Sequence, residues 1–149
     1  MAKNKSGDKG TRAENALKKV LTTETGLNWQ RTPSSGALSE VHKLKGDLYI
    51  PREKNVYTIE VKHYKDCHIN HLLLTGVNPQ IHEWWEQTVR EAKQNENEPL
   101  LVFKHDRSKW FVGTSGYVDE EDRHIYVGAL DIYIVLLTDW LKTEPRFIT

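Results

Sequence analysis

Asp47, Glu60 and Lys62 are the residues of this chain whose types and spacing best suit chemistry. They flank Arg52-Glu53-Lys54-Asn55, a polar stretch between two runs, 47–51 and 56–62, that read as strands. If those four residues lie outside a hairpin ladder, Pro51 faces Val56 and Asp47 falls opposite Glu60. Directly opposed side chains have Cβ atoms about 5 Å apart. Two carboxylates that close repel each other unless a cation lies between them. Lys62 is two residues beyond Glu60 and projects from the same strand face. Such a set suits phosphodiester hydrolysis. Hard carboxylate oxygens take Mg²⁺, with Mn²⁺ as a substitute, and an amine beside them can orient the attacking water or stabilise the transition state. The same residues would also make an ordinary cross-strand salt bridge, and register alone leaves both readings open.

The elements that must position this set are legible in outline. Residues 1–9 read as a flexible basic tail and 10–149 as one domain. A first helix is expected from Thr11 to about Thr25, with Thr11 and Glu14 as a capping box, Ala13, Ala16, Leu17, Val20 and Leu21 in its apolar stripe and Gly26 ending it. Residues 28–38, with Pro33 and Gly36, read as a strand running into a loop. The run 56–62 alternates, with Tyr57, Ile59 and Val61 on one face and Thr58, Glu60 and Lys62 on the other. A second helix is expected over 79–95, burying Ile81, Trp84, Trp85, Thr88 and Ala92, with Gln87 placed to reach the site. Residues 100–104, 109–112 and 124–127 read as strands. Residues 131–141 fit a helix better than a strand, through Ile132, Val135, Leu136 and Trp140.

Composition bounds the rest. A length of 149 residues suits one domain with its own core. No apolar run is long enough to span a membrane, and the basic N-terminus lacks the apolar region of a secretory signal. With a single cysteine, Cys67, the chain suits a reducing cytoplasm. The net charge is zero, but it is segregated: six Lys or Arg fall within 1–19 and six within 41–65, with the acidic excess in 83–98 and 119–122. Such clusters can bind phosphates locally. Cys67-x-x-x-His71, with His63 and His68, has a possible zinc spacing but lacks a second Cys pair, so zinc is not expected.

Gly46-Asp47, twelve intervening residues, then Glu60-Val61-Lys62 resembles the PD-(D/E)xK signature of the restriction-endonuclease-like nucleases, with glycine in the place of proline. Three further blocks agree in order. Lys9-Gly-Thr-Arg-Ala-Glu14, Arg31-Thr-Pro-Ser-Ser-Gly36 and Leu100-Leu-Val-Phe-Lys104 resemble archaeal-type Holliday junction resolvases and their phage relatives. The resemblance implies an α/β fold, a mixed sheet of about five strands flanked by helices. It implies Asp47, Glu60 and the Val61 carbonyl as metal ligands, Lys62 as the catalytic lysine, and Glu14 as an additional acid supporting metal or water. Either Ser34 or Ser35 would match a serine in a loop near the scissile strand. Arg12 and Arg31 would contact phosphates, and Lys9, Lys43 and Lys45 extend that basic set.

The resemblance further implies a structure-selective DNA endonuclease, a Holliday junction resolvase acting on four-way DNA as a homodimer without a membrane partner. Ile132, Val135, Leu136 and Trp140 are candidates for the dimer interface, and Trp84-Trp85 could stack on exposed bases, although packing suits them better. Residues 66–79 and the segment after 113 exceed a minimal resolvase. The alternatives are another PD-(D/E)xK repair, restriction or replication nuclease, a non-catalytic DNA-binding module, and a structural domain in which the basic loop is incidental.

Overall fold

The computed structural model describes residues 5–33, 44–71, 79–116, 118–119, 121 and 123–149. The chain order is α1 (Lys5–Thr25), β1 (Gln30–Arg31), β2 (Leu48–Tyr49), β3 (Tyr57–Tyr64), α2 (Pro79–Asn95), β4 (Glu98–His105), β5 (Phe111–Thr114), β6 (His124–Val127), β7 (Ile132–Leu136) and α3 (Leu137–Leu141). All seven strands form one mixed sheet in the order β1-β2-β3-β4-β5-β7-β6. Only β3 and β4 run parallel, because α2 carries the chain back between them; every other pairing is antiparallel. The mixed α/β architecture agrees with the expectation, but the described residues form seven strands rather than about five.

The central strand β4 is buried on both faces, which explains its unbroken apolar run. Leu100 and Val102 join Leu17 and Leu21 of α1, with Leu48, Ile59, Val135 and Trp140, in one core. Leu101 and Phe103 point the other way and pack with Ile81, Trp84 and Trp85 of α2, along with Ile132 and Ile134. Every residue expected on the buried face of α2 is buried.

Several expectations need correction. The first helix begins at Lys5, so it takes in residues 5–9 of the expected tail, and Thr11 and Glu14 lie inside it rather than at a cap. Glu14 has a tertiary partner instead, Arg31. Gly26 does end the helix, with φ 72° and its N–H bonded to the Thr22 carbonyl. The run 131–141 is not one helix. Ile132–Leu136 is a strand paired with β5 and β6, and only the five residues after it are helical. A β-branched and aromatic run buried between two strands gains more from the sheet than its spacing gains from a helix. Consequently Ile132, Val135 and Trp140 are core residues, 0–3% exposed, and cannot supply a dimer interface. Trp84 and Trp85 are likewise buried, so neither is a free stacking platform.

The hairpin that carries the candidate site keeps the expected register. Leu48 pairs with Ile59, which places Asp47 opposite Glu60, although the regular part of β2 is only two residues long. Asn55 fixes the turn: its side chain accepts from the Ile50 N–H and donates to the carbonyls of Ile50 and Glu53.

Candidate active site

Asp47 sits where the chain enters β2, and two contacts hold it. Its backbone N–H donates to the Ile59 carbonyl at 2.7 Å, and its Oδ2 accepts from the Val61 N–H at 2.8 Å. Gly46 makes this entry possible. Its φ is 91°, which proline cannot adopt, and a Cβ there would lie 3.0 Å from Thr58 Cγ2 and 3.1 Å from the Ile59 carbonyl. Glycine in the place of the signature's proline is thus a steric requirement of this backbone. The preceding residue is pinned from α2, where the Asn95 side chain bonds both the N–H and the carbonyl of Lys45 and also Thr58 Oγ1.

Glu60 and Lys62 leave β3 on the face covered by α2, and Gln87 joins them. The Lys62 ammonium donates to Gln87 Oε1 at 2.9 Å and lies 3.7 Å from Glu60 Oε2. The Gln87 amide donates to Glu60 Oε2 at 3.3 Å and to Glu91 Oε1 at 3.4 Å. On the other side Arg31 Nε donates to Glu14 Oε2 at 2.8 Å. These residues line one cavity of about 420 Å³, together with Val61 and Lys45.

The electrostatics are those of crowded carboxylates. Burial pushes Asp47 up to about 6, with the charge of Glu14 adding to it and the Val61 N–H opposing it. Glu60, only 4% exposed, is pushed up to about 10, first by burial, then by its hydrogen bond to Glu91 and the charges of Asp47 and Glu91. Glu91 Oε2 is buried without a donor. A proton on Glu60 would supply the donor that this oxygen lacks. A divalent ion would take the proton's place, and this donor set fits one. Among the described residues no three His, Cys, Asp or Glu side chains converge as a ready-made cage. Mg²⁺ does not need one, since it binds through one or two carboxylates and keeps waters and phosphate oxygens as its other ligands.

The chain matches, over residues 5–133, the family described as "Phage putative PDDEXK endonuclease". The chain belongs to this endonuclease family. The endonuclease is 36% identical to Protein D14 of Escherichia phage T5 over 146 residues, covering 91% of each chain. It also has a structural likeness to Archaeoglobus fulgidus Hjc, a Holliday junction resolvase from an archaeal hyperthermophile, at 18% identity and a TM-score of 0.45, covering 89% of this chain and 93% of that one.

Of the residues singled out from the sequence, the endonuclease brings Glu14, Arg31, Lys45, Asp47, Glu60, Val61 and Lys62 to one cavity. Lys9 and Arg12 line a different one. Ser34, Ser35 and Lys43 lie outside the described residues. Cys67, His68 and His71 join no metal-binding group among the described residues. Glu91 was not anticipated, and Gln87 only as a residue within reach. The signal was present: Gln87, Glu91 and Asn95 recur every four residues beside the apolar stripe of α2, so one polar edge of that helix faces the site.

Proposed function

We propose that this endonuclease is a divalent-metal-dependent DNA nuclease selective for branched DNA, acting on four-way junctions as a homodimer in the manner of a Holliday junction resolvase. The observation that carries the hydrolytic part is the meeting of Asp47, Glu60 and Lys62 with Gln87 around one cavity. Mg²⁺, or Mn²⁺ in its place, held by Asp47 and Glu60 with support from the Val61 carbonyl and Glu14, would neutralise phosphate charge and acidify a bound water. Lys62 then stands beside the phosphoryl oxygens, where its ammonium offsets the negative charge that grows in the transition state. Gln87 holds Lys62 and Glu60 in one orientation. Arg31 and Lys45 at the same cavity bind flanking phosphates.

The junction preference rests on the ordered resemblance of the Glu14, Arg31-to-Gly36, Asp47-to-Lys62 and Leu100-to-Lys104 blocks to the resolvases. A four-way junction has two-fold symmetry, and paired nicks of like polarity need two symmetric sites. The presence of the acids and Lys62 in one cavity favours a working enzyme over a DNA-binding module without chemistry. No helix among the described residues is long and apolar enough to cross a membrane. The test is cleavage of four-way, flap, duplex and single-stranded DNA in Mg²⁺ by the wild type and Asp47→Asn, with sedimentation in parallel. A dimer that nicks junctions in symmetric pairs is expected. A monomer that cuts linear duplex equally well removes the junction reading, and Asp47→Asn turnover at the wild-type rate removes the site assignment.

A further inference from the structure

The endonuclease has a second polar cavity that the proposed hydrolysis does not use. It is about 390 Å³ and lies between the N-terminal half of α1 and the ends of β3, β4 and β5. Its charged lining is Lys9, Arg12, Lys104 and one carboxylate, Asp106, with His63 and Trp110 completing the wall. Three permanent cations against one acid leave the concavity positive. Ala13 and Ala16 complete the α1 side beside Lys9 and Arg12.

The resident carboxylate already shows what the cavity takes. Asp106 Oδ1 accepts from the Lys9 ammonium at 2.8 Å and lies 2.9 Å from His63 Nε2. An oxyanion oxygen therefore fits between these groups. Lys104 pairs with no carboxylate among the described residues; its ammonium rests over the Trp110 ring, 5.4 Å from the centroid.

The position relative to the hydrolytic site follows from strand geometry. Lys62 and His63 are consecutive in β3, so their side chains leave opposite faces of the sheet. The two cavities share no lining residue, yet one backbone step separates their β3 contributions. A nucleic acid lying across the end of β3 would be placed to meet both.

We infer that the Lys9–Arg12–His63–Lys104 cavity is a second phosphate site, which holds a backbone phosphodiester of the same DNA whose scissile phosphate lies at Lys62. Asp106 is its built-in competitor, occupying the oxygen position until a phosphate displaces it. The choice of DNA as the source of the phosphate rests on the nuclease reading; the anion site itself does not.

The experiment measures binding to duplex and four-way DNA in chelator, across a salt series, for the wild type, Lys104→Gln, Lys104→Arg and Asp106→Asn. Inorganic phosphate is titrated in parallel against the His63 ring resonances. Lys104→Gln is expected to weaken binding several-fold and to reduce the log–log salt slope by about one, with Lys104→Arg restoring most of it. Asp106→Asn is expected to tighten binding, a direction that misfolding cannot produce. Unchanged DNA affinity and slope in both Lys104→Gln and Asp106→Asn overturns the inference, including when inorganic phosphate still moves His63, since the site then takes only free anions. Wild-type cleavage is read on the same DNA. Slope changes without cleavage of any substrate support the phosphate site while removing the nuclease reading, so the two failures are distinguishable.

Discussion

Glu60 makes the protein's stability depend on pH in a way that isolates the site. In the unfolded chain its carboxyl ionises near 4.5, whereas in the folded protein burial and the neighbouring acids raise it to about 10. The native state therefore keeps a proton that the unfolded state has released, and each rise of one pH unit between those values costs about 1.4 kcal/mol of stability. The stabilisation is fully present below pH 4.5 and is lost as pH climbs toward the folded value. Asp47, raised to about 6, acts in the same direction but has finished titrating by neutral pH. His63, shifted down, acts in the opposite direction and below its ordinary value of 6.5. From about pH 7 to about pH 9, therefore, Glu60 dominates and the expected loss is about 3 kcal/mol, a large share of a typical domain's stability.

The assay is urea unfolding in chelator at several pH values in that window, for the wild type and Glu60→Gln. Glutamine imitates the protonated acid, so the variant is expected to be nearly flat where the wild type declines. Saturating Mg²⁺ is expected to flatten the wild type too, because the ion replaces the proton and stabilises the ionised native form. The upper limit of the window matters, since burial also raises Tyr57 above its ordinary value of 10.0 and would add its own slope. A wild type whose stability does not change between about pH 7 and about pH 9 in chelator, or a Glu60→Gln variant that declines as steeply, would refute the retention of a proton by Glu60.

Three further outcomes are expected. Lys62→Met lowers kcat on the order of 10²- to 10³-fold with little change in DNA affinity, read by single-turnover cleavage; an equal loss in affinity would make Lys62 a binding residue instead. Gln87→Ala lowers activity about 10- to 100-fold and shifts the Mg²⁺ dependence to higher concentration, because Lys62 and Glu60 lose the amide that orients both; an unshifted metal titration would remove its positioning role. Gly46→Ala costs about 1–3 kcal/mol in denaturant unfolding, from a positive φ and the close approach to Thr58 and Ile59, and a neutral result would show that the backbone relaxes there.

The parts legible in the sequence were those set by short-range rules. Register in a hairpin follows from the turn, so Asp47 opposite Glu60 could be counted from four loop residues, and the pairing of Leu48 with Ile59 has that register. The buried face of α2 followed from its 3.6-residue period. What spacing misread was decided by tertiary partners. Ile132, Val135, Leu136 and Trp140 fit a helical stripe, but the segment lies between β5 and β6, where an edge strand already offered its hydrogen bonds. Glu14 sits three residues after Thr11 as a capping box demands, yet the helix starts earlier and Arg31 claims the carboxylate.

Glu91 shows why a site of this kind is only half visible along the chain. Glu60 and Lys62 are neighbours in one strand, and Asp47 is one hairpin away, so sequence proximity reveals them. Glu91 reaches Glu60 only because α2 returns across the sheet between two parallel strands, a long crossover whose packing no local pattern encodes. Its polar edge of Gln87, Glu91 and Asn95 is unremarkable on a solvated helix, yet here each is tied to the site or to its entry strand. Burying that edge costs free energy unless every group finds a partner, and Glu91 Oε2 is left without a donor. The fold thus leaves its electrostatic deficit at the position where the proposed chemistry needs a cation, and a proton on Glu60 would hold that place until an ion took it.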